Sequence, residues 1–96
     1  MKFTDFLLLE RTLIEVDKKL VGVINILIDE HEFFKDEMFL IDKNKTKKFL
    51  FSLDNKRKDY SLEIYEYSNN SLIKEYDNLI KMKIEEIVNI VKGCIE

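Results

Sequence analysis

Apolar residues at Phe6, Leu9, Leu13, Val16, Leu20, Val23 and Leu27 recur at alternating intervals of three and four, the spacing of one helical face. Leu7, Ile14, Val21 and Ile28 form a second line beside it, giving a stripe broad enough to face a core. Thr4 stands where an N-cap hydroxyl would satisfy free backbone N–H groups, and Phe3 and Leu8 occupy the flanking staple positions. The pattern predicts one helix over residues 4–31. The stretch Leu20–Ile28 also reads as a buried strand, because it is β-branched and contains Gly22. The unbroken phase of the seam across Lys18 and Lys19 favours the helix.

The period changes over residues 38–68. MFLID, KKFLFSLD and YSLEIYEYS alternate or are aromatic, as strands do, and the polar runs 43–45 and 55–58 separate them as turns. The expected unit is a three-stranded antiparallel meander with Leu40, Phe49, Phe51, Leu53, Leu62 and Ile64 on its inner face. Asn69, Asn70 and Ser71 are cap-type residues, and Ile73, Tyr76, Ile80, Ile84, Ile87, Val91 and Ile95 then follow near an 11-residue repeat. That predicts a second long helix, with Gly93 as its stop. The chain is therefore expected to be a single α+β domain over residues 1–96 with the order α-β-β-β-α.

A helix of that predicted length would run about 40 Å, beyond the roughly 20–27 Å reach of strands of six to eight residues. The outer sheet face also carries Phe39, Ile41, Leu50, Tyr65 and Tyr67. A sheet with two apolar faces needs cover on both, so either the helices sandwich it or a second copy of the chain covers it. A homodimer is one of the two expectations.

Composition narrows the function class. With 46% hydrophobic and 36% charged residues in 96, the chain has enough apolar content to fold, yet only enough length for one thin core. Its single cysteine, Cys94, excludes an internal disulfide and points to a reducing, cytoplasmic setting. Its single histidine, His31, excludes a Cys/His zinc finger. The longest apolar run falls far short of the roughly 20 residues that span a bilayer, and no signal-peptide pattern precedes it. No membrane association, cofactor or resident metal is expected.

The net charge of −3 is unevenly placed. Residues 1–42 carry five basic and ten acidic side chains, residues 43–58 seven and one, and residues 59–96 four and eight. The central basic segment comprises Lys43, Lys45, Lys47, Lys48, Lys56, Arg57 and Lys58. In the meander these fall on two turns at opposite ends of the middle strand, so they form two clusters. They suit phosphate contacts, but lysines at turns also solvate the chain and guard strand edges, and that reading is the stronger. The acidic stretch 29–37 contains Asp29, Glu30, His31, Glu32, Asp36 and Glu37; its H-E start lacks the second histidine of a zinc motif. It reads as a solvated helix end or loop, or as a carboxylate surface that would occupy a basic groove. Tyr60, Tyr65, Tyr67 and Tyr76 form a local aromatic group, a residue type enriched at interfaces. With glycines only at 22 and 93 there is no phosphate-binding glycine loop, and no nucleophile has an orienting partner.

These features predict a small, acidic, non-enzymatic protein-binding module, a homodimer, that occupies a surface of a larger partner. Tyr65, Tyr67, Asp29, Glu30, Glu32, Asp36 and Glu37 are its expected contact residues. In size, acidity and topology it is similar in type to small inhibitors and antitoxins of phages and mobile elements, an analogy that no residue motif carries. The alternative is a nucleic-acid-contacting protein that uses the lysine turns at 43–48 and 56–58.

Overall fold

The computed structural model describes residues 28–34, 37–42 and 44–95. Five strands, β1 (Ile28–Phe34), β2 (Glu37–Asp42), β3 (Lys47–Asp54), β4 (Asp59–Glu66) and β5 (Leu72–Tyr76), precede a 3-10 turn at Leu79–Lys81 and one helix, α1 (Ile84–Ile95). The strands form one sheet in sequence order, and every neighbouring pair is antiparallel.

The α+β class stands, but the three-stranded meander with two long helices does not. The meander gains a strand on each side. The stretch 28–31, assigned to the end of the first helix, lies in β1, where His31 pairs with Leu40 and Phe33 with Met38. The acidic run 29–37 is thus no helix end: its residues 29–34 are strand and Glu37 opens β2. The rest of the first predicted helix, and with it the helix-or-strand question over 20–27, lies outside the described residues.

The second predicted helix divides into three elements for identifiable reasons. Asn69, Asn70 and Ser71 make a reverse turn rather than a helix cap. Asn70 adopts φ 57, its N–H donates to the Glu66 carbonyl at 2.9 Å, and the Glu66 N–H donates to the Ser71 carbonyl at 2.9 Å. The Ser71 N–H and hydroxyl both donate to Asn69 Oδ1, at 3.0 and 2.7 Å. The chain then returns along β4 as β5, satisfying backbone groups that β4 would otherwise leave open. Asn78, at φ 59 and ψ 34, takes a left-handed conformation that asparagine tolerates better than most residues. The Asp59 carboxylate holds it there, accepting the Asn78 N–H at 2.9 Å and the Ile80 N–H at 3.3 Å.

Regular helix begins only at Ile84. Glu85 and Glu86 lie in its first turn, where carboxylates suit the positive end of the helix dipole. Glu86 reaches back to accept the Lys83 N–H at 3.4 Å, half of a capping box. Gly93 does not stop the helix, which continues through it to Ile95.

One face of the sheet carries the core. Leu40, Phe49, Phe51, Leu62 and Ile64 are 0–1% exposed, as are Tyr60, Leu79 of the 3-10 turn and Ile87 of α1, with Val88 and Val91 close behind. Leu53 packs against them half-buried. The inner face expected from period two is therefore the observed one, and α1 and the 3-10 turn lie on that side.

Candidate protein-docking face on the outer side of the sheet

Strand alternation sends the neighbours of the core residues to the opposite side. The register aligns them in rows. Ile41 stands opposite Lys48 and Lys48 opposite Tyr65; Tyr65 pairs with Leu72 past an irregularity in the β4–β5 register. In the next row Phe39 stands opposite Leu50, Leu50 opposite Glu63, and Glu63 opposite Glu75. Beyond it Glu37 faces Ser52 and Ser52 faces Ser61. On the other flank, the β1 positions Glu30 and Glu32 are in register with Ile41 and Phe39. The face thus has an apolar centre of Phe39, Ile41, Leu50 and Tyr65, all half-buried, with Glu37, Glu63 and Glu75 beside it.

Local interactions shape this face. The Tyr65 hydroxyl donates to Glu63 Oε2 at 2.6 Å. This charge-assisted bond, helped by partial burial and by the negative charges of Glu63, Glu75 and Glu37, pushes the phenol up to about 12. The Lys48 ammonium lies 4.6 Å from the Phe39 ring centroid, so its stem and charge rest on an aromatic face. Glu63 and Glu75 meet across the β4–β5 ladder, an arrangement that costs stability on a sheet because like charges face one another.

Of the expected contact residues, the structure brings Tyr65 and Glu37 to this face and places Glu30 and Glu32 in register with it. Asp29 falls at the irregularity between Ile28 and Glu30 in β1, and Asp36 lies outside the described residues. Tyr67 is 39% exposed just beyond β4, its N–H donating to the Thr46 carbonyl at 3.1 Å. The aromatic group does not act as a unit: Tyr60 is fully buried in the core and Tyr76 packs against it. Glu63 and Glu75 belong to the face but were not among the expected contacts. Glu75 falls in the stretch expected to be helix, where it has no cross-strand neighbour.

The lysines form two clusters, one at each end of β3, whose eight residues span roughly 24 Å at 3.4 Å per residue. Each turn is organised by an aspartate. Asp42, 2% exposed, accepts the Thr46 N–H, the Thr46 hydroxyl and the Lys47 N–H at 2.7–2.8 Å. Asp54 accepts the Lys56 and Arg57 N–H groups at 3.0 and 3.1 Å. Such side-chain-closed turns leave the remaining positions to polar residues. Lys47 bridges to Glu66 at 3.3 Å and Arg57 to Asp59 at 3.7 Å. Lys45 and Lys58 hold the left-handed positions, each with φ 53. Lys43 lies outside the described residues.

Cys94 is half-buried on α1. Burial pushes its thiol up, partly offset by Lys74 and Lys47, which keeps it in the poorly nucleophilic neutral form. Among the described residues, no group of three or more His, Cys, Asp or Glu side chains is placed to hold a metal ion, and no helix is long and apolar enough to cross a membrane.

No family model matches the chain, and neither a curated protein nor a solved structure matches it.

Proposed function

We propose that the protein is a non-enzymatic binding module that seats the outer face of its sheet on a larger protein, in the manner of a small inhibitor. The observation that supports this is the row of Phe39, Leu50, Ile41 and Tyr65 on the side of the sheet away from α1. Among the described residues, no element lies over it, and contiguous apolar surface of this kind marks interaction sites. A sheet face also offers a rigid platform, so contacts made there need little ordering on binding.

The test is a tagged capture from the native lysate, with nuclease, read by mass spectrometry. The wild-type protein is compared with Leu50→Ser and with a Tyr65→Ala/Tyr67→Ala double variant. The expected result is one stoichiometric protein retained by the wild type and lost by both variants, while circular dichroism and urea midpoints remain close to wild type. Retention by both variants would refute the reading. So would unfolding of the variants, which would make these residues core. Nucleic acid that co-purifies and is shed by moderate salt would move the function to the lysine turns.

A further inference from the structure

Resting on that reading of the outer face, we infer that the surface it fits is basic: a protein surface with an apolar centre flanked by lysine or arginine. The argument is charge complementarity. Across one row of the sheet the register runs Phe39, Leu50, Glu63, Glu75. An apolar pair is thus followed by two carboxylates, with Phe39 and Glu75 three strands apart, roughly 14 Å at 4.8 Å per strand. Glu37 adds a third carboxylate in the adjoining row. The sheet supplies these carboxylates with little cationic compensation. Glu63 takes a hydrogen bond from Tyr65, Lys48 is drawn to Phe39, and Lys47 and Arg57 pair with Glu66 and Asp59, away from these carboxylates. Glu63 and Glu75 are held opposite each other at a cost to the sheet. Cations brought by a partner would relieve that repulsion and would meet the low-dielectric apolar centre, where opposite charges attract more strongly than in water.

The other occupants of the face fit less well. Two copies stacked by it would set two faces of the same net negative charge against each other. Residues 1–27 of the chain hold four basic and four acidic side chains, so they offer no surplus of positive charge; their apolar stripe is the competing cover, and the titration separates the two.

The experiment uses the full chain and two fluorescein-labelled probes, a short alternating Lys–Val peptide and its Glu–Val counterpart, read by fluorescence anisotropy. Four proteins are compared: wild type, Glu63→Gln/Glu75→Gln, Glu85→Gln/Glu86→Gln and Leu50→Ser. The second double variant removes the same charge from exposed positions of α1. Sedimentation velocity over a concentration series accompanies the titrations. The expected result is a monomer that binds the Lys–Val probe, more weakly as salt rises, and ignores the Glu–Val probe. Affinity falls about tenfold in Glu63→Gln/Glu75→Gln and changes little in Glu85→Gln/Glu86→Gln. Equal losses in the two double variants would mean diffuse attraction and would overturn the inference. So would the absence of binding, as expected if residues 1–27 cover the face, or a dimer that dissociates in Leu50→Ser. Loss in Leu50→Ser without loss in Glu63→Gln/Glu75→Gln would overturn the basic partner and leave the docking face standing. Binding unchanged in both would overturn the two together.

Discussion

Asp59 ties the start of β4 to the chain 19 and 21 residues later, and its removal tests how the sheet hands over to the helix. The residue is 5% exposed. Its two carboxylate oxygens accept the Asn78 N–H at 2.9 Å and the Ile80 N–H at 3.3 Å. The Arg57 guanidinium stands 3.7 Å away, but that side chain is 57% exposed, so solvent screens the pair and it contributes about 0–1 kcal/mol. Hydrogen bonds to a charged group contribute roughly 1.5–3 kcal/mol each. The longer bond counts at the low end, and Asn78 lies at the surface, where water partly replaces the lost partner. Asp59→Ala should therefore cost about 2–3 kcal/mol. Asp59→Asn should cost about 1–2 kcal/mol, because its amide keeps one acceptor and turns a donor toward the second N–H. Arg57→Ala should cost under about 0.5 kcal/mol. Urea unfolding gives these differences as shifts in midpoint at constant slope, and amide exchange at Ile80 should speed up in Asp59→Ala beyond the global change. If Asp59→Ala costs less than Arg57→Ala, the handover is held by apolar packing of Leu79 alone and the reasoning fails.

Three further outcomes follow from the same geometry. Phe51→Ala removes a fully buried ring and should cost about 3–5 kcal/mol in urea unfolding, whereas Leu50→Ala, its neighbour on the outer face, should cost about 1 kcal/mol or less; similar losses would mean both faces are core. Gly93→Ala should stabilise the protein by roughly 0.5–1 kcal/mol, because Gly93 lies within α1 and a Cβ there meets nothing within 4 Å; a lower urea midpoint would contradict the helix register. In a tyrosinate absorbance titration, Tyr65 should retain its proton to about pH 12 and fall back toward 10.0 in Glu63→Gln. Its raised value implies a stabilisation present below pH 10, where folded and unfolded chains are both protonated, and lost as pH climbs from 10 toward 12.

The middle of the fold was legible because its residues obey one rule at a time. Over 38–66 the alternation is clean, the turns are polar, and the faces separate as Leu40, Phe49, Phe51, Leu62 and Ile64 against Phe39, Ile41, Leu50 and Tyr65. The C-terminal third was misread because Ile73, Tyr76 and Ile80 fall in phase with Ile84, Ile87 and Val91 while belonging to different elements. Pairing with β4 outweighed their helical spacing, as tertiary context does for weak local preferences. The break is made by Asn70 and Asn78 in left-handed conformations. With two glycines and no proline in the chain, the usual punctuation was missing, and asparagine carried signals that also suit a helix cap. The acidic run failed differently. Its charges suggest a solvated end, yet residues 29–34 pair with β2 as the edge strand of the sheet, a position where charged residues are common.

The outer face was less legible than the core for a physical reason. A core announces itself within each strand, since every second residue must be apolar to be buried. A docking face is defined across strands, by which residues the register sets side by side. Leu50 is an ordinary strand leucine until Phe39 stands on one side of it and Glu63 on the other. Glu75 is an ordinary surface carboxylate until β5 brings it opposite Glu63. Neither neighbour is within ten residues in sequence, so no local pattern records the juxtaposition. The charge profile did preserve a trace of it: the acidic flanks of the chain, before residue 43 and after residue 58, are the segments that supply Glu37, Glu63 and Glu75 to one face. The basic residues between them fall largely on the turns at the two ends of β3, leaving Lys48 to lie against Phe39 within it. Sheet topology thus converts a segregation of charge along the chain into a segregation in space, with carboxylates beside an apolar centre and most of the lysines at the ends of β3.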